Sequence, residues 1–154
     1  MNTCLGFYLS ILQVRDQSAI SDNTFPKDDR IKIVEGDVTD LEKLKTVLHG
    51  ATHAIFTAAA KHKDLVSSVD EGGMKNTMEA AEAEDLKRIA ICSSQLVDPV
   101  NGWNFVRMIL NGLVVKGIMD AKFRGEEHVR AMAKTSSVEY TIVRPGGLID
   151  GEIG

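Results

Sequence analysis

The sequence predicts an α/β fold: one parallel sheet between helices, a three-layer domain spanning residues 1–154. Three observations carry this expectation. Short apolar runs alternate with segments of helical periodicity along the whole chain. The plainest of these runs stop in small or polar residues: Ile-Val-Glu-Gly-Asp-Val-Thr-Asp at 33–40, Arg-Ile-Ala-Ile-Cys-Ser-Ser at 88–94, and Tyr-Thr-Ile-Val-Arg-Pro-Gly-Gly at 140–147. No internal repeat, low-complexity tract or interdomain linker interrupts the alternation. Alternation of this kind implies parallel strands joined by right-handed crossovers.

Each element has its own signal. Residues 7–15 form a β-type run with partial alternation. Residues 16–30 are polar, hold Pro26, and read as a loop. A strand follows over 31–36. Thr39 or Asp40 can cap the next helix, whose Leu41, Leu44, Val47 and Leu48 share one face and which Gly50 ends. His53–Ala60 is a strand running into small residues. A helix is expected to start near Val69, with an alanine-rich pattern from Met74 to Asp85. Lys87–Ser93 is a strand, and residues 95–102 form a loop with Pro99 and an Asn101-Gly102 turn signal. Residues 103–134 read as one long helix, or two broken near Gly117. Trp103, Phe105, Met108, Ile109, Leu113 and Val114 are expected to pack into the core. Val138–Val143 is the last strand.

Bulk properties exclude several classes. A net charge of −4 and scattered cations argue against a nucleic-acid-binding surface. No run of about 18 apolar residues is present, so no membrane span is expected. Residues 4–14 lack a basic flank and read as strand rather than signal peptide. Two cysteines, Cys4 and Cys92, give no disulfide framework and suit a reducing compartment, either cytoplasm or an organelle matrix or stroma. His49, His53, His62 and His128 lack metal-ligand spacing, so no metal site is expected.

Strands that finish in small or polar residues form the floor of a nucleotide site in an open α/β sheet. Taken together, these segments resemble the short-chain dehydrogenase/reductase superfamily, above all its atypical NmrA-like branch of NAD(P)-binding Rossmann-like proteins. Gly36-Asp37-Val38-Thr39-Asp40 resembles the adenine-contacting segment. Asp70–Ala81 resembles the fourth helix, Lys87–Ser94 the fifth strand, and Lys122-Phe-Arg-Gly-Glu-Glu127 followed by Tyr140–Leu148 the next helix and sixth strand. The resemblance runs from about residue 8 to the end.

Three departures from the family pattern stand out. No Gly-x-Gly-x-x-Gly or Gly-x-x-Gly-x-x-Gly loop occurs, although that loop carries most of the pyrophosphate affinity. The domain reads as truncated at its N-terminus, the first strand being absent, and at its C-terminus, where the substrate-binding part is mostly missing. Lys122 matches the lysine of the catalytic Tyr-x-x-x-Lys pair, but Ile118 stands at the tyrosine position and cannot donate a proton.

The resemblance assigns residues to a cofactor, and each assignment has an ordinary structural alternative. Arg15, at the end of the first run, meets the 2′-phosphate of NADP, for which a guanidinium is suited; alternatively it is a solvated charge. Asp37 accepts the adenine amino hydrogens while the Val38 amide reaches a ring nitrogen; alternatively Asp37 caps the next helix. Ala58, Ala59 and Ala60 let a ribose approach the backbone, or are small for tight packing. Ser93 orients a carbonyl substrate or bonds the backbone at the strand end. Lys122 bonds the nicotinamide ribose, or is solvated on an amphipathic helix. Pro145, Gly146 and Gly147 approach the nicotinamide amide. Ser93 and Lys122 are the remaining catalytic candidates.

The expected function is an NAD(P)-binding protein with weak or no oxidoreductase activity, NADP being the expected cofactor and NAD or none the alternatives. The other reading is a non-catalytic structural or redox-sensing subunit. In the family the missing strand is central, and its loss leaves two rows of unpaired backbone groups. The Phe7–Arg15 strand is therefore expected to move to the centre, or the second and fourth strands of the family pattern to close up directly, or a protein partner to complete the sheet.

Overall fold

The computed structural model describes residues 10–16, 18, 28–114 and 116–146. Phe7 to Leu9 of the first expected strand, Pro26, Cys4 and Gly147 lie outside them. The described residues form two parallel sheets. β1 (Ser10–Val14) pairs with β2 (Ile31–Glu35), Leu12 opposite Ile33. β3 (His53–Phe56), β4 (Arg88–Cys92) and β5 (Glu139–Val143) form the second sheet in the order β3-β4-β5, with Phe56 opposite Ile91 and Ile91 opposite Ile142. The strands fall where the apolar runs predict them.

The helices follow the same sequence signals. α1 (Leu41–Leu48) is capped by Asp40, whose side chain accepts from the Lys43 amide, and Gly50 follows its end at φ +75°. A wide π-type segment, Ser67–Gly72, runs straight into α2 (Gly73–Ala83). α3 (Phe105–Ile109) is short and capped by Asn104, which accepts from the Val106 and Arg107 amides. The expected break near Gly117 is real: Gly117 sits at φ +80° ahead of α4 (Ile118–Met132).

The core lies between the larger sheet and one helix layer. Strand pleating sends Phe56, Ile89, Ile91 and Ile142 to one face. There they meet Met74, Met78 and Ala81 of α2 and Val129 of α4, with Leu48 of α1 packed alongside. Met74, Met78, Ile89, Ile91 and Val129 are fully buried. Two glycines bring backbones together. A Cβ on Gly125 would lie 2.7 Å from the Asp70 carbonyl and 2.8 Å from Met74 Sδ, so α4 crosses the Ser67–Gly72 segment at closest approach there. A Cβ on Gly73 would lie 2.8 Å from Val38 Cγ2.

The opposite face of β3-β4-β5 carries His53, Ile55, Arg88, Ala90, Cys92, Glu139, Thr141 and Val143 by the same alternation. No described helix covers it: Ile55 is 76% exposed and Val143 52%. Among the described residues the α/β, Rossmann-like expectation holds, with helices on one face of this sheet only. β1 is neither central nor in contact by a ladder with β3, so two of the three expected ways of healing the sheet do not occur among the described residues. The half-sheets are joined through Val38, which packs on the core, and through the Asn76 side-chain amide, which donates to the Val38 carbonyl at 3.1 Å.

A second correction concerns Trp103, Phe105 and Met108. They were expected in the core, yet Trp103 is 95% exposed, Phe105 74%, and Met108 half-exposed. The reason is that Arg107 takes the inward position on α3. Its guanidinium donates to the Leu96 carbonyl (2.8 Å) and to Asp120 (2.6 Å), and Asn111 also donates to Asp120 (2.8 Å) while accepting from the Met119 amide (2.9 Å). A polar knot that organises the start of α4 turns the apolar side of α3 outward.

Candidate functional site

Apart from Lys122, which lies on α4, the expected site residues follow the C-terminal ends of parallel strands, the place where an open α/β sheet presents a ligand crevice. Behind β1 and β2 lies an open depression lined by Arg15, Glu35, Gly36, Asp37, Asp40 and Lys43. Gly36 keeps it open, since a Cβ there would lie 2.8 Å from Gln13 Nε2 and 3.1 Å from Lys43 Cγ. Gln13 Nε2 is buried without a hydrogen-bond partner among the described residues. Arg15 is exposed at the rim.

Asp37 is not the helix cap; Asp40 is. One Asp37 oxygen accepts from the Thr39 amide (2.9 Å) and hydroxyl (2.8 Å), which fixes the carboxylate in a tight local turn. Val38 packs into the core and its carbonyl accepts from Asn76.

At the end of β3, Ala58 is half-buried, Ala59 exposed and Ala60 buried. The Ala60 amide donates to Asp70 Oδ2 at 3.0 Å, and Lys122 Nζ lies 2.8 Å from Asp70 Oδ1. Asp70 is fully buried and Lys122 nearly so. Lys122 is therefore not a solvated helix residue. It is an internal cation that ties α4 to the end of β3, beside the three alanines. Sequence reasoning did not single out Asp70, because nothing local marks an acid that meets a lysine on a distant helix.

At the end of β4, the buried Ser93 hydroxyl has no hydrogen-bond partner of ordinary geometry among the described residues. The Ser93 amide donates to the Val143 carbonyl (2.8 Å) and the Gln95 amide to the Pro145 carbonyl (3.0 Å), so the two strand ends are stitched together. Gly146 lies against Gln95, whose Oε1 would be 3.2 Å from an added Cβ. Beneath them is a second charge cluster missed by sequence reasoning. Glu126 of α4 is fully buried and accepts from Arg144 Nε (3.0 Å) and Arg130 Nη2 (2.8 Å). Burial opposes its charge, but hydrogen bonding to Arg144, the facing Ser93 hydroxyl and Arg130 outweighs it and lowers the carboxyl pKa. Among the described residues no cluster of three or more His, Cys, Asp or Glu could hold a metal ion.

Behind β1 and β2 the described residues place a cation and a carboxylate, and behind β4 and β5 a buried hydroxyl facing Glu126 and a glycine turn. They offer no pyrophosphate cradle of the glycine-rich kind.

A sequence profile described as NAD(P)H-binding matches residues 9–154. The chain belongs to this NAD(P)H-binding family. An uncharacterized chloroplastic protein of Arabidopsis thaliana is 29% identical over 131 residues, covering 81% of this chain and 45% of the relative. The photosystem II assembly factor Ycf39 of Trieres chinensis is 28% identical over 131 residues, covering 84% and 36%. The chain therefore spans less than half the length of these two relatives. Among solved structures, the oxidoreductase ylbE of Lactococcus lactis superposes with a TM-score of 0.72 at 24% identity, over 92% of this chain and 59% of that one. The Bordetella bronchiseptica enzyme WbmG, solved in complex with NAD, gives 0.63 at 18% identity, over 87% and 44%. The chain shares the fold of these two structures, and no described helix is long and apolar enough to cross a membrane.

Proposed function

We propose that this chain binds NADP in preference to NAD and performs little or no carbonyl reduction. The observation that carries the cofactor reading is the depression behind β1 and β2, where exposed Arg15 stands beside Asp37. A guanidinium there would meet a 2′-phosphate. The Asp37 carboxylate and Val38 amide would take the adenine edge, and Ala58 and Ala59 would admit a ribose. Pro145 and Gly146 would line the nicotinamide end next to Ser93. When bound, the cofactor would supply or accept a hydride; this chain's residues would only hold it. Ile118 offers no proton at the family's acid position, and general acid catalysis is worth roughly a hundred- to ten-thousand-fold. Ser93 and Lys122 are left as catalytic candidates, and Lys122 is engaged with Asp70.

Calorimetric titration with NADP(H) and NAD(H) tests this. Tighter NADP binding that Arg15→Ala removes is the expected result, and tighter NAD binding would refute the preference. Brisk NADPH-dependent carbonyl reduction by the 154-residue chain would refute the second half.

A second reading, a non-catalytic subunit of an assembly, is favoured by the division of the strands into two sheets, β1 and β3 each having a ladder on one side only among the described residues. A partner strand added there would complete the sheet. Light scattering of the chain expressed alone and then with a binding protein tests it. The Arabidopsis relative is described as chloroplastic, which supports an organelle stroma as the compartment; a fluorescent fusion would show it.

A further inference from the structure

Lys43 stands where a helix disfavours a cation. It lies in the first turn of α1, at the end where the helix dipole is positive. The other lysines of α1, α2 and α4 face carboxylates: Lys45 meets Glu42, Lys75 meets Glu79 and Lys122 meets Asp70. Lys43 has no such partner among the described residues, and its side chain is exposed, so neither pairing nor burial calls for it there. A local rule broken without a structural gain is a mark of function.

Arg15 has the same character. Arg30, Arg88, Arg107, Arg124, Arg130 and Arg144 each pair with a carboxylate. Arg15 pairs with none among the described residues. These two free cations line one depression. Gly36 joins them. A Cβ there would lie 3.1 Å from Lys43 Cγ, and the Gly36 amide donates to the carbonyl of Val14, the neighbour of Arg15, at 2.9 Å. Two of the three acids around the depression are already engaged. Asp40 accepts from the Lys43 amide and Asp37 from Thr39, which leaves Glu35. Two like charges lining one depression repel until an anion lies between them. A phosphate monoester brings about two negative charges at neutral pH. The fork of an arginine and the point charge of a lysine suit its oxygens from two sides.

We propose that Lys43 is the second cation of this site: together with Arg15 it clamps the ribose 2′-phosphate of NADP, and the pair sets the preference over NAD. This rests on the NADP reading above and adds to it a specificity residue from a different element. β1 ends in one charge, and α1 begins with the other.

The 154-residue chain is titrated calorimetrically with NADP and with NAD, as wild type and as Lys43→Gln, Lys43→Glu, Lys45→Gln and Arg15→Ala. Lys43→Gln is expected to lower the ratio of NADP to NAD affinity about tenfold, as loss of one charged hydrogen bond does. Lys43→Glu should lower it further, and Lys45→Gln should leave it at the wild-type value. Melting without ligand should move the other way. Lys43→Gln should melt no lower than wild type and Lys43→Glu higher, because a carboxylate suits the first turn of a helix. A merely structural lysine would lose stability along with affinity. A ratio unmoved by Lys43→Gln but lost in Arg15→Ala would overturn the second cation and leave the NADP reading standing. An equal loss in Lys45→Gln would also overturn it, since the effect would then be general charge. A wild-type chain without preference for NADP would overturn both.

Discussion

The two faces of the β3-β4-β5 sheet differ: one carries Ala54, Phe56, Ile89, Ile91 and Ile142, the other Ile55, Ala90, Cys92 and Val143 beside the polar His53, Arg88, Glu139 and Thr141. On one, Phe56, Ile89, Ile91 and Ile142 lie under α2 and α4; on the other, Ile55 and Val143 face outward. Parallel sheets are normally buried on both faces, and their strands read as near-continuous apolar runs for that reason. These strands read that way, yet the described helices supply one cover. The difference teaches that an apolar strand encodes a demand for burial on each face, while the element that meets the demand must come from somewhere else in the chain or outside it.

Breaking the covered side should cost most. Lys122→Met leaves the fully buried Asp70 carboxyl without its cation, for an expected loss of about 3–5 kcal/mol. The double variant Lys122→Met/Asp70→Asn should recover much of it. Denaturant unfolding checks both, and an additive pair would show that the two residues do not act together.

Next comes the direct comparison across the sheet. Ile91→Ala removes a fully buried side chain and should cost roughly 2–5 kcal/mol. Ile55→Ser, in the neighbouring strand but on the bare face, should change stability by no more than about 0.5 kcal/mol. If Ile55→Ser proves as damaging as Ile91→Ala, the face is covered in solution and the contrast fails.

Acid should act more gently, and again on the covered side. Glu126, Glu71 and Asp120 all have lowered pKa values, in each case because hydrogen bonds from neighbours outweigh the burial that opposes the charge. A depressed folded-state pKa gives stability that is complete above the ordinary carboxylate range and lost as pH falls through the folded value. Thermal melts should therefore hold steady near neutrality and fall below about pH 4.5. Glu126→Gln should flatten that fall, and an unchanged acid limb would show that Glu126 contributes nothing to it.

The smallest expected difference lies in backbone exchange. β4 is paired on both sides, whereas β3 has a ladder only toward β4 among the described residues. Native-state hydrogen exchange should protect β4 amides most and leave the β3 amides that face away from β4 quick to exchange. Equal protection would mean that a strand occupies that edge.

Much of the fold was legible from the chain itself. Five apolar runs became five strands, Asp40 capped α1, and Gly117 broke the long helical stretch, because strand pleat, capping and left-handed backbone are local properties. The strand-end residues Arg15, Asp37, Ser93 and Pro145 were legible as a set for the same reason: small and polar residues after an apolar run mark where a parallel strand stops. The orientation of α3 was not legible. Its apolar spacing is that of a core helix, and only the pull of Asp120 and two carbonyls on Arg107 turns that face outward. The Lys122–Asp70 and Glu126–Arg144 pairs were invisible too, since each joins elements far apart in the chain. What the sequence by itself determined is where strands and helices begin and end, and which residues line the strand ends. Only the tertiary structure decided which apolar faces are covered, which charges are buried in pairs, and that the strands divide into two half-sheets, because those outcomes depend on what each surface meets in space.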